Sequence, residues 1–219
     1  MKTKLGLFVL MVAFFAVVCI SCGKESSEKN TSSVNTEKVK SGSKSILILS
    51  SSPRRGGNSE ILCNEFKKGA EEANHTVEMI NINDHDIQFF ENKYYERSDN
   101  PEDADDAIRI IHKMAAADVI VLSSPVYFYS MTGQMKTLID RVFKYEKDLK
   151  SKEFYYIITA TDNNEEALEG TIQGFRGFIH CLYDSREIGI VRGFGARDSG
   201  SILKKPTAVQ EAYEFGKNA

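Results

Sequence analysis

The chain has 219 residues, 42% of them apolar, four cysteines and a formal net charge of −3. Length and apolar content suit one globular domain with a sizeable core. The slightly acidic balance, with no basic stripe interleaved with aromatics, excludes nucleic acid as an expected partner, and no repeat of roughly 20–50 residues is visible.

The first element is a leader. Lys2 and Lys4 precede an apolar, uncharged run over residues 5–20. About sixteen residues is short for a membrane span and suits the core of a signal peptide. The run ends at Cys19-Ile-Ser-Cys-Gly23, which resembles a bacterial lipoprotein signal in which a small residue precedes the lipidated cysteine. Ser21 and Cys22 fit those roles, so Cys22 is the expected lipidation site. A plain secretory signal or an uncleaved anchor is the alternative. The reading predicts a signal peptide over 1–21, a tether over 22–43 and a folded domain over 44–219. The domain would be anchored by lipid to a membrane in the cell envelope, outside the cytoplasm. The tether is Lys, Glu, Ser, Thr, Asn and Gly with almost no apolar residue. Such a segment cannot offset its ordering entropy, and it would span about 25 Å on average.

Residues 45–49 are an apolar strand that stops abruptly. Ser50-Ser-Ser-Pro-Arg-Arg-Gly-Gly-Asn-Ser59 follows, and then an amphipathic helix over 60–72. A helix start carries unpaired N–H groups and the positive dipole end, so this layout predicts an anion site. Ser51, Ser52, Ser59 and Asn58 add donors. The loop lacks the Gly-Lys-Ser/Thr ending of a nucleoside-triphosphatase loop and the spacing of a dinucleotide fold. A monophosphate ester held without magnesium is the expected ligand. The alternative is a serine-rich turn with Asn58 or Ser59 as helix cap.

The pattern then alternates: a strand over 76–82, a helix over 104–116, an aliphatic strand over 119–122, a helix over 132–143, a strand over 154–160, a helix over 165–181, a weaker edge strand over 187–192 and a helix over 206–217. Pro206 sits where a helix tolerates proline. Aliphatic strands separated by amphipathic helices predict an α/β fold, a doubly wound five-stranded parallel sheet in the order 2-1-3-4-5. Its ligand belongs at the carboxyl ends of the strands. Right-handed crossovers place the first and last helices on one face and the other three on the opposite face. Cys63 and Cys181 then lie on opposite sides of the sheet, and no disulfide is expected between them. Both read as buried thiols in helical, apolar surroundings.

The third strand runs into Ser123-Ser-Pro-Val-Tyr-Phe-Tyr-Ser-Met-Thr-Gly133. Pro125 fixes φ and extends Ser124, and Thr132 caps the next helix. A rigid turn presenting aromatic rings and backbone amides suits a flat heterocycle. The alternative is a hydrophobic loop packed under a neighbouring helix or a second subunit. The four histidines sit on loops or helices and suggest no catalytic role.

Together the two loops resemble the NAD(P)H-dependent FMN reductase and flavodoxin-like family. The carrying segments are Ser51-Ser-Pro-Arg-Arg-Gly-Gly-Asn-Ser59 and Ser124-Pro-Val-Tyr-Phe-Tyr-Ser-Met-Thr-Gly133, with Lys136 and Asp140-Arg141 following. The resemblance runs from about residue 45 to the end and implies FMN, with NAD(P)H as co-substrate. It places Ser52, Arg54, Asn58 and Ser59 at the phosphate and Pro125, Val126, Tyr127 and Phe128 along the isoalloxazine. Ser130 and Thr132 would support that loop, and Thr161 would close the other side of the ring. Chemistry belongs to the cofactor, so no catalytic side chain is assigned. Ser51 stands where the family has Gly, and the loop after the fourth strand is rich in Asp and Asn rather than Gly. The segment 89–97 lacks the cysteine cluster of the iron–sulfur flavoprotein branch, so no such cluster and no metal is expected. The acidic segment 91–106 reads as a solvated loop near the flavin. The implied activity is transfer of hydride or electrons from a nicotinamide or other donor to a small acceptor such as a quinone. A tethered electron carrier and a surface lipoprotein without flavin are the alternatives. A homodimer is implied and would cover the aromatics near Tyr127.

Overall fold

The computed structural model describes residues 42–95 and 105–219. The predicted leader, nearly all of the tether and part of the acidic segment 91–106 lie outside the described residues. Five parallel strands form one sheet in the order β2-β1-β3-β4-β5: β1 (Ser45–Ser50), β2 (Thr76–Asn81), β3 (Val119–Pro125), β4 (Glu153–Thr159) and β5 (Arg186–Gly193). The helices are α1 (Asn58–Glu72), α2 (Asp106–Ala116), α3 (Gly133–Arg141), α4 (Glu169–His180) and α5 (Pro206–Lys217). This is the flavodoxin-like order expected from the β-α alternation.

The period-2 geometry of each strand divides the core in two. Leu47, Leu49, Ile120, Leu122, Phe154, Tyr156 and Ile158 project to the face covered by α2, α3 and α4. Ile46, Ile48, Val119, Val121, Tyr155 and Ile157 project to the face covered by α1 and α5. Burying one such side chain contributes about 1.5–3 kcal/mol. The central strands are apolar on both faces because both faces are covered. The edge strands β2 and β5 begin with alternating exposed residues and are buried at their carboxyl halves, where the loops gather. α1 and α5 touch backbone to backbone: a Cβ on Gly216 would lie 1.9 Å from the Phe66 carbonyl oxygen.

Capping fixes the helix ends. The Asp105 carboxylate accepts from the Ile108 N–H at 3.0 Å, starting α2. Buried Arg141 holds the other Asp105 oxygen at 2.7 Å and stacks on the Tyr94 ring at 3.6 Å. At the far end of α2, the Lys152 ammonium donates to the Ala115 and Ala117 carbonyls, both at 2.7 Å. Three local expectations need correction. α1 starts at Asn58, with Gly57 as N-cap and no side-chain cap bond, so neither Asn58 nor Ser59 is the cap. The helix expected from residue 165 begins with a 3-10 turn, Glu165–Leu168, and becomes α-helical at Glu169. Cys181 is exposed, because it lies one residue past α4 and faces outward, while Cys63 is buried. Both are free, and they flank opposite cores.

Candidate functional site

All strands run the same way, so the segments after β1, β3, β4 and β5 converge on one rim. Loop 51–57 is tied down first. Ser51 donates its N–H and its hydroxyl to the Ser123 carbonyl, at 3.0 and 2.9 Å. On the other side the Asn81 amide donates to the Ser52 carbonyl at 3.1 Å. The Ser52 hydroxyl accepts from the Arg54 N–H at 3.3 Å. Gly56 takes the left-handed conformation, φ 60°, and the Gly57 N–H closes the turn onto the Arg54 carbonyl at 3.3 Å. α1 therefore opens with the first-turn N–H groups of Asn58, Ser59 and Glu60 uncapped by any side chain. Those groups and the dipole end make the local potential positive. The Arg54 guanidinium stands beside them and donates to the Arg197 carbonyl at 3.3 Å.

Asn58 and Ser59 do something the sequence reading did not foresee. The Asn58 amide donates to the Ala196 carbonyl at 2.9 Å and the Asp198 carbonyl at 3.0 Å, and accepts from the Ile202 N–H at 3.2 Å. Both its donor hydrogens are spent pinning the segment after β5. Ser59 shares a buried hydrogen bond with Thr159 at 2.6 Å, joining α1 to the end of β4. What these residues still offer an anion is backbone N–H.

The segment after β3 forms a tight hairpin. Val126 donates to the Thr159 carbonyl at 2.7 Å. Tyr127 and Ser130 exchange backbone bonds at 2.9 and 3.1 Å, and between them Phe128 and Tyr129 have φ of 49° and 61°. Positive φ at both central residues matches a type I′ turn, which Asn and Gly favour. An aromatic residue in that conformation costs about 1–2 kcal/mol. Beyond the turn, Thr132 donates its N–H to the Ser124 hydroxyl at 3.0 Å and caps α3 by accepting from Met135 at 3.2 Å. The ring of Phe128 is fully exposed, and Tyr127 and Tyr129 are 48% and 64% exposed.

These pieces line one cleft. Ser52, Arg54, Asn58, Ser59, Pro125, Val126, Tyr127 and Thr161 of the sequence-predicted residues all face it, together with Gly57, Thr159, Ala160, Ala196 and Arg197. Phe128 lines an adjoining hollow with Tyr129, Asp162 and Ala167, and the two share Val126, Ala160 and Thr161. Ser130 faces neither; its part is the backbone bridge that closes the turn. The residues missed by sequence reasoning come from β4's end and the segment after β5. Gly193-Phe-Gly-Ala-Arg-Asp-Ser-Gly200 carried a signal, since a Gly-rich stretch after the last parallel strand must reach the same rim.

Comparison with known proteins gives the site its context. The family of NADPH-dependent FMN reductases matches residues 45–189. The chain belongs to that family. It is an FMN-dependent NAD(P)H oxidoreductase. It is 25% identical over 183 residues to YwqN of Bacillus subtilis, provisionally named an NAD(P)H-dependent FMN-containing oxidoreductase, covering 80% of this chain and 97% of that protein. An iron–sulfur flavoprotein of Methanocaldococcus jannaschii is 35% identical over 98 residues, a match spanning 44% of this chain and 50% of that one. Among solved structures, the NAD(P)H:quinone oxidoreductase of Methanothermobacter marburgensis superposes with a TM-score of 0.62 at 21% identity, over 80% of this chain and 96% of that one. An FMN-dependent NADH-azoreductase from Bacillus anthracis, in complex with FMN, gives 0.59 at 16% identity, over 80% and 98%. At these identities the likeness establishes the shared fold.

Proposed function

We propose that FMN lies along the rim with its phosphate at the start of α1 and its ring between the 127–130 turn and Thr161. The observation carrying this reading is that an uncapped helix start, the Arg54 guanidinium and the proline–aromatic turn line a single cleft. A phosphate dianion suits the first-turn N–H groups and Arg54. Ser52 supplies a hydroxyl beside it. Asn58 and Ser59 hold the surrounding segments in place and present backbone N–H. Pro125, Val126 and Tyr127 form the wall against the ring. In the turn, Val126 and Tyr127 have spent their amides on backbone partners. The N–H groups of Phe128 and Tyr129 are the donors left for ring heteroatoms. FMN, when bound, supplies the redox chemistry at its ring. The chain binds and orients it and keeps water from one face.

The acceptor is a small, flat molecule such as a quinone that reaches the ring from the open side of the rim. The chain is lipidated at Cys22, faces away from the cytoplasm and rides on the 22–43 tether, and a second copy covers the Tyr127–Tyr129 aromatics. In that compartment the donor is a reduced nicotinamide or another reductant, and a tethered electron carrier is the second reading. The anchor is supported by the basic n-region, the apolar run and the Ser21-Cys22 junction. Labelled fatty acid incorporated by the full chain and lost in Cys22→Ala tests it. Anaerobic reduction of the FMN-loaded protein by NADPH, followed by reoxidation with a soluble naphthoquinone, tests the enzyme reading. Reduction by neither NADPH nor NADH, with rapid exchange from a reduced flavoprotein, would favour the carrier.

A further inference from the structure

We propose that Gly170 is a positioning residue for the flavin: its missing side chain lets α4 clamp the Tyr129 carbonyl, and that clamp sets flavin affinity and reduction potential. The inference rests on the FMN reading above. The 127–130 turn is unfavourable by itself, with two aromatic residues at positive φ and, among the described residues, the Tyr127–Ser130 backbone pair alone to close it. Something outside the turn must hold it. The neighbour is the first turn of α4. A Cβ built on Gly170 would lie 1.9 Å from the Tyr129 carbonyl oxygen and 3.1 Å from its carbonyl carbon, both rigid backbone atoms. One turn further along, a Cβ on Gly174 would lie 2.5 Å from the Met131 Cε. α4 is thus cut away where the turn and its following residue rest on it. At Gly177, on the same helix, nothing lies within 4 Å of the Cβ position, so that glycine has no such part.

The clamp reaches the flavin through the backbone. The Tyr129 carbonyl belongs to the same turn as the Phe128 and Tyr129 N–H groups. Among the described residues those two groups have no protein acceptor, and both residues line the hollow assigned to the ring. An amide aimed at a ring heteroatom favours the oxidation state carrying more negative charge there. Moving the turn therefore changes both affinity and potential.

The test compares wild type with Gly170→Ala and Gly177→Ala in the full domain. The readouts are FMN titration, the midpoint potential of bound FMN, and amide exchange at residues 127–130 in the FMN-free protein. Gly170→Ala should keep the wild-type circular dichroism, lose about tenfold or more in FMN affinity, shift the potential and speed exchange at Phe128 and Tyr129. Gly177→Ala should match wild type. If Gly170→Ala fails to fold, Gly174→Ala replaces it. Its Cβ meets the flexible end of Met131, so the same changes should appear at smaller size. An alanine variant at position 170 or, in its place, 174 that retains wild-type affinity, potential and exchange overturns the proposal. So does an equal loss in Gly177→Ala. If wild type itself binds no FMN, the cofactor placement fails, and the exchange comparison still decides whether Gly170 holds the turn.

Discussion

At the scale of single residues, hydrogen-bond accounting decides which side chains are ligands and which are struts. Asn58 was legible as a donor in an anion loop, but its amide is committed to the segment after β5. A partner 138 residues away in sequence leaves no local signature, and that is why position alone suggested a phosphate ligand. Ser59 is the same case. Removing its hydroxyl orphans the buried Thr159 hydroxyl, so Ser59→Ala should destabilise the domain by about 1–3 kcal/mol in urea unfolding. Among the described residues the Arg54 guanidinium makes one long, exposed bond, to the Arg197 carbonyl at 3.3 Å, so Arg54→Ala should leave stability within about 0.5 kcal/mol. Tyr129 is mostly exposed at positive φ, which glycine adopts freely. Tyr129→Gly should raise stability by roughly 1 kcal/mol, and a fall would mean that its ring contacts outweigh backbone strain. The cysteines make a further contrast. Burial pushes the Cys63 thiol up to about 12, whereas Cys181 is exposed. At pH 8 a maleimide should label Cys181 in the native protein and Cys63 only after unfolding, as mass spectrometry would report.

At the scale of elements, the sequence pattern carried most of the architecture. Aliphatic runs such as residues 119–122 announce strands buried on both faces, and α5 begins at Pro206 because a first-turn proline has no N–H to satisfy. Boundaries were less legible where capping is tertiary. The start of α4 slipped because Asn164 first caps a 3-10 turn by accepting from the Glu166 N–H. The entry to β1 depends on a residue with no visible motif. His75 is buried, and its Nδ1 accepts from the Lys44 N–H at 3.0 Å. Burial, and then the Lys44 charge, lowers its pKa. The neutral ring is the folded form. Its contribution is complete above the unfolded value of about 6.5 and is lost as pH falls through that value toward the lower folded one. Urea midpoints of wild type should therefore drop between pH 7.5 and pH 5.5 more than those of His75→Asn. Equal drops would assign the acid sensitivity to other groups.

At the scale of the whole molecule, parallel strands and right-handed crossovers bring residues from Ser52 to Arg197 to one rim, although no short window of sequence contains them together. That convergence follows from topology, so the place of the site could be read before any side chain was seen. Its inner arrangement could not, because the segment after β5 is held in place by bonds to Arg54, Gly56 and Asn58, residues about 140 positions away in sequence. The central claim is that the phosphate of FMN binds at the start of α1. The most direct measurement is a titration of the domain with FMN and with riboflavin, for wild type and Arg54→Ala. Wild type should bind FMN at least about tenfold more tightly than riboflavin, and Arg54→Ala should lose most of that preference while its riboflavin affinity stays unchanged. Equal affinity of wild type for the two flavins, or an undiminished preference in Arg54→Ala, would contradict the account.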